Sequence, residues 1–148
     1  MQTEPDLYLQ IRQLLARFND LVAARSMLVL DEFASDEGLP EHRAPQHMML
    51  RDHVLLIGSE AGEVAQGRPE LEAFFTRVFA REVAFSWEWE RLEADQAGDI
   101  AWFFAEGQVV LTSAQEQRKA PYRVSGVVER HAGRWLWRQY HGSEPVGG

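Results

Sequence analysis

Residues 83–90, VAFSWEWE, set Val83, Phe85, Trp87 and Trp89 against Ala84, Ser86, Glu88 and Glu90. A period of two is that of a β-strand with one buried face, and it excludes an amphipathic helix. Three further segments of strand character follow, Ile100 to Thr112, Tyr122 to Arg130 and Arg134 to His141. The Gly98-Asp99 turn, the polar loop SAQEQRKAP and the tight connection at His131 to Gly133 separate them. Long strands joined by short turns form an antiparallel sheet, in which Gly107 is expected to mark a bulge or bend.

The first half of the chain has a different period. From Asp6 to about Arg25, Leu7, Ile11, Leu14, Leu15, Phe18, Leu21 and Val22 recur at three and four, which predicts an amphipathic helix. Ser26 caps a second, shorter helix through Met27, Leu28, Leu30, Phe33 and Ala34, closed by Asp36, Glu37, Gly38 and Pro40. Residues 38–52 read as a long loop. His53 to Gly58 and Glu63 to Gln66 make a short hairpin, and Pro69 opens a third helix that buries Leu71, Phe74, Phe75, Val78 and Phe79. The fold class is therefore α+β, with three N-terminal helices packed on a strongly curved, mixed but mostly antiparallel sheet. Residues 1–148 are expected to form one domain, a length that buries a sizeable core without staples.

Composition removes several chemistries. The chain has no cysteine, so disulfides, thiolate metal sites and cysteine nucleophiles are excluded. A formal charge of −8 and the lack of a basic stripe among the aromatics oppose nucleic-acid binding. No apolar run approaches the roughly 18 residues of a membrane span, and MQTEPDLYLQ lacks the basic start and apolar stretch of a leader. A cytoplasmic protein with no membrane partner is expected. His42, His47 and His53 are spaced five and six apart without a ligand motif, so no metal is expected. No phosphate loop, serine elbow or dinucleotide fingerprint is present, so no cofactor is expected either.

The words ARFNDLVAARS, VLLIGSEAGEVAQGRPELEAFF, GDIAWFFAEG and ERHAGRWLWRQYHGSEP, in this order of elements, resemble the nuclear-transport-factor-2-like superfamily and its SnoaL-like branch. The segment around Leu39 to Met49 departs from it by being longer. The resemblance implies a conical pocket between the helices and the sheet, usually in a homodimer. It does not imply a reaction, because the superfamily holds isomerases, dehydratases and cyclases beside members that only bind or assemble. The resemblance to ketosteroid isomerase lacks its catalytic acids: Ile57, Gly58 and Ser125 stand at the corresponding positions, and Glu60 falls in the turn.

Alternation on the last strand places Trp135, Trp137, Gln139 and His141 on one face, and the resemblance turns His141 towards the pocket. There His141 is either a general acid or base or a structural hydrogen-bonding group. Trp102, Phe104 and Glu106 share a face of their strand, and Arg123, Ser125 and Val127 share one of the next. Glu106 is either paired with Arg123 or, unpaired and buried, an acid. Trp87, Trp89, Trp102, Phe104, Arg123, Ser125, Trp137 and Gln139 are the expected ligand-binding set, with His141 and Glu106 catalytic if the chain is an enzyme. Three functions remain open: binding of a small hydrophobic or aromatic ligand, cofactor-independent isomerase, dehydratase or cyclase chemistry, and a structural dimer module.

Overall fold

The computed structural model describes residues 6–34 and 54–145. The 38–52 loop, His42, His47, His53 and the Val146 to Gly148 tail lie outside the described residues. Helix α1 spans Leu7–Ala23 and buries Leu7, Ile11, Leu14, Leu15, Phe18 and Val22, the face its period predicts. The second helix is a 3-10 turn, Met27–Glu32, capped by the Ser26 side chain on the Leu28 amide. It is cut short because Phe33 and Ala34 leave it to pair with the sheet: Ala34 donates its N–H to the Trp137 carbonyl at 2.7 Å.

Strands β1 (Leu55–Ile57) and β2 (Val64–Gln66) form the short hairpin, and α2 (Gly67–Phe79) follows directly. Pro69 lies in the first turn of α2, where its missing N–H has no helical partner. Glu70 accepts the Gln66 amide at 2.9 Å and ties down that end. Strands β3 (Ala84–Ala97), β4 (Ile100–Thr112), β5 (Gln117–His131) and β6 (Arg134–Ser143) complete a six-stranded sheet in the order β2-β1-β6-β5-β4-β3. Among the described strands only β1 and β6 pair in parallel, so the sheet is mixed and mostly antiparallel. The fold class is the one expected, helices packed on a curved α+β sheet. Among the described residues no helix is long and apolar enough to cross a membrane.

Two strands run further than alternation suggests. β5 begins at Gln117, because 117–121 pair with the end of β4 although their side chains, Ala120 apart, are exposed. β3 continues to Ala97 after a bulge between Trp89 and Arg91. The bulge is on β3, and Gly107 faces it from β4: a Cβ there would run into the Glu88 carbonyl, so the glycine permits the close approach rather than forming the bulge.

The helices cover one face of the sheet, and the core lies between. Phe18 of α1 is its hub, with ring centroids of Phe33, Phe75, Trp87, Trp137 and Tyr140 between 5.4 and 6.4 Å away. Such tilted and edge contacts add to the area that each ring buries. Glu32 is the buried charge of the described core, and it is paired: Arg17 donates to it at 3.1 Å and Arg134 also donates to it, joining α1, the 3-10 turn and β6.

Candidate functional site

Between Phe18 and Val22 of α1, Phe74, Phe75 and Val78 of α2, and Leu56, Phe85, Trp87 and Val109 of the sheet lies a cavity of about 90 Å³. Its walls are hydrocarbon and ring. Its polar groups are of two kinds. Tyr122 of β5 and Tyr140 of β6 line it from the sheet, their hydroxyls hydrogen-bonded to each other at 2.7 Å. Gly58, Ser59, Glu60, Glu63, Arg81 and Glu144 line the remainder, with Glu60 and Glu144 exposed at the edge.

The two phenols meet because adjacent strands bring them together. Gly126 of β5 pairs with Tyr140, and Val124 pairs with Gly142. Gly142 is required there, since a Cβ would collide with the Tyr122 hydroxyl. Burial, with the charges of Glu63 and Glu144 adding to it, pushes the Tyr122 phenol up to about 12. Burial and the neighbouring Tyr122 hold Tyr140 well above the usual tyrosine value. Both are neutral O–H groups at ordinary pH. Their mutual bond uses one of the two protons, leaving the other without a partner among the described residues. The Trp87 indole N–H is also unpaired among the described residues, but it has essentially no accessible surface and so does not open onto the cavity. Through the tyrosine pair the site can therefore donate a hydrogen bond within a largely apolar pocket.

The expected ligand-binding set divides between the two faces. Trp87 lines the cavity, Trp89 packs on Tyr122 at 6.2 Å, and Trp137 is wholly buried behind the cavity against Phe18 and Tyr140. Trp102, Phe104, Ser125, Gln139 and His141 lie instead on the outer face, where they line a wide shallow groove with Glu93, Asp95 and Val127. The expectation that Trp137, Gln139 and His141 share a face is thus corrected. Val127 pairs with Gln139 but Val128 pairs with Trp137, so Arg138 is an extra residue that reverses the alternation of β6. His141 turns outward and Tyr140 inward. Glu106 and Arg123 also face outward, paired at 3.1 Å, with side chains 40% and 48% exposed. Glu106 is a solvated partner of Arg123 rather than a buried acid, and neither His141 nor Glu106 lines the interior cavity.

Tyr122 and Tyr140 were not among the sequence candidates. Tyr122 was legible, because it shares parity with Val124, Gly126 and Val128, the more apolar series of β5. Tyr140 was not, because the Arg138 bulge leaves no mark in residue type. Among the described residues no group of three acids or histidines could hold a metal ion.

Solved structures share this architecture at low identity. One is an NTF2-like protein of unknown function from Pseudomonas putida, at 16% identity and TM-score 0.73, covering 99% of this chain and 92% of that one. A candidate aromatic ring hydroxylase from Novosphingobium aromaticivorans is similar at 18% identity and TM-score 0.75, over 99% of this chain and 94% of its own. A protein from Catenulispora acidiphila, solved in complex with S-DNPA, gives 16% identity and TM-score 0.75 over 95% of each chain. No curated protein matches the sequence. The family model of the SnoaL-like domain matches residues 42–147, and with this fold around its cavity the chain belongs to the SnoaL-like domain family.

Proposed function

We propose that this domain binds a small apolar or aromatic molecule noncovalently in the interior cavity. The observation that carries the reading is an enclosure of rings and aliphatic side chains with a buried pair of phenols in its wall. Ligand sites are typically apolar pockets with a few convergent polar groups of this kind. The size restricts the occupant. About 90 Å³ is below the roughly 150 Å³ of an apolar cavity that takes up benzene, so one ring is the upper limit, reached with small side-chain shifts. Chemistry through His141 and Glu106 finds less support, since both leave the sheet on the side away from this cavity. A thermal-shift panel of monocyclic compounds tests the reading. Occupancy at about a hundred times Kd adds about 2.7 kcal/mol of stability. Val109→Phe, which fills the cavity, is expected to abolish that gain, and no shift across the panel would overturn the proposal.

The outer face supports a second, compatible reading as a homodimer surface. Trp102 is 46% exposed in the middle of a sheet face beside Phe104 and Val127, and exposed aromatics in a contiguous apolar patch mark association sites. Sedimentation of the wild type and of Trp102→Glu tests it. A dimer converted to monomer is expected, and a wild type that is monomeric at high concentration rejects it.

A further inference from the structure

We infer that the cavity selects, among ring-sized molecules, those bearing a neutral acceptor oxygen such as a ketone carbonyl, and discriminates against carboxylates. The inference rests on the binding reading above and names the class of ligand that the same cavity takes. It follows from counting hydrogen-bonding capacity. The tyrosine pair, which lines the cavity, has one O–H proton left over without a partner among the described residues. A carbonyl oxygen can accept that proton, whereas a hydrocarbon leaves it unpaired in an apolar surround. The phenols are also held in their neutral, donating form by burial.

Charge at the rim supplies the discrimination. Glu60, Glu63 and Glu144 stand there against Arg81, which lies 3.6 Å from Glu60. The Glu63 carboxylate is held by the Glu60 amide at 2.9 Å, close to the cavity it lines. An entering carboxylate meets like charge at the rim and loses its hydration in a pocket with no cation beyond Arg81 among the described lining residues. A ketone of the same size meets neither obstacle.

The test compares cyclopentanone, methylenecyclopentane (the same shape with CH2 in place of the carbonyl oxygen) and cyclopropanecarboxylate, each no larger than a benzene ring, by ligand-observed NMR titration. Wild type, the double variant Tyr122→Phe, Tyr140→Phe and the triple variant Glu60→Gln, Glu63→Gln, Glu144→Gln are used, each checked for folding by its thermal melt. The ratio of ketone to olefin affinity is expected to fall about three- to tenfold in the double phenylalanine variant, the worth of one hydrogen bond, whereas either single change still leaves one free O–H. The triple variant should gain cyclopropanecarboxylate affinity relative to cyclopentanone. If both neutral probes bind and their ratio is the same in all variants, the selectivity is overturned while the binding reading stands. If neither neutral probe binds the wild type, both fall together.

Discussion

On β4 the inward series Ala101, Phe103, Ala105, Gly107 and Val109 is small around a single ring, while the outward series Trp102, Phe104 and Glu106 carries the bulk. The contrast shows that space, rather than hydrophobicity alone, allots the two faces of this sheet. Inside, Phe18, Phe75, Trp87 and Trp137 already fill the volume between helices and strands, so β4 contributes alanines and glycine. Outside there is no second layer among the described residues, and large side chains stand partly in solvent. The inner face is thus the part of the sheet where removing atoms costs stability, and the outer face the part where it changes association.

Trp137→Ala against Trp102→Ala breaks or sharpens that contrast with the largest expected effect. Trp137 is wholly buried among Phe18, Phe103 and Tyr140. Truncating it is expected to cost about 3–5 kcal/mol in urea unfolding. Trp102→Ala, measured on dilute protein, is expected to stay within about 0.5 kcal/mol. Comparable losses at the two sites would erase the distinction between the faces.

Next in size comes the tyrosine pair. Tyr122→Phe or Tyr140→Phe alone leaves the other hydroxyl without its partner, at about 1–3 kcal/mol, whereas the double change removes both groups and is expected to cost less than the two singles added together. The same pair predicts an alkaline transition. Folding raises both phenols, so the stability they confer is complete below pH about 10, the ordinary tyrosine value. It is lost as pH rises towards about 12, where Tyr122 ionises in the folded state next to Glu63 and Glu144. Unfolding midpoints across that window should fall more steeply for the wild type than for the double phenylalanine variant. Equal slopes would mean the phenols are not raised.

How much of this the sequence carried depends on whether the signal was local. Periodicity located both α-helices, the hairpin and four strands, because burial of one face imposes a repeat on residue type. The helix boundary at Phe33 was not legible, since the pairing of Ala34 with Trp137 across more than a hundred residues overrides the local pattern. Alternation also failed where the backbone inserts a residue. The bulge at Arg138 sends Gln139 and His141 outward, and the one between Trp89 and Arg91 lets Leu92 turn inward. The candidate site was half legible for that reason: Trp87 and Trp89 lie before the first bulge and face inward as read, whereas Tyr140, beyond the second, was hidden by it. On β4 and β5 residue type alone points to the bulkier and more polar series as the pocket wall, whereas the small or aliphatic series is the inner one.

The smallest expected effect belongs to Glu106 and Arg123, the pair whose reading depended most on burial. A buried carboxylate that lost its charge partner would be costly, at about 3–5 kcal/mol. Here both side chains are 40% or more exposed, so water screens the 3.1 Å contact and the ordering of two long side chains offsets much of its attraction. Glu106→Gln is therefore expected to change stability by less than about 1 kcal/mol, and the difference should shrink further as salt is raised. Ligand affinity in the interior cavity should be unchanged, because neither residue lines it. A loss of several kcal/mol, or a change in binding of the neutral ring probes, would show that the outer face is coupled to the cavity and that the two sides of the sheet do not act separately.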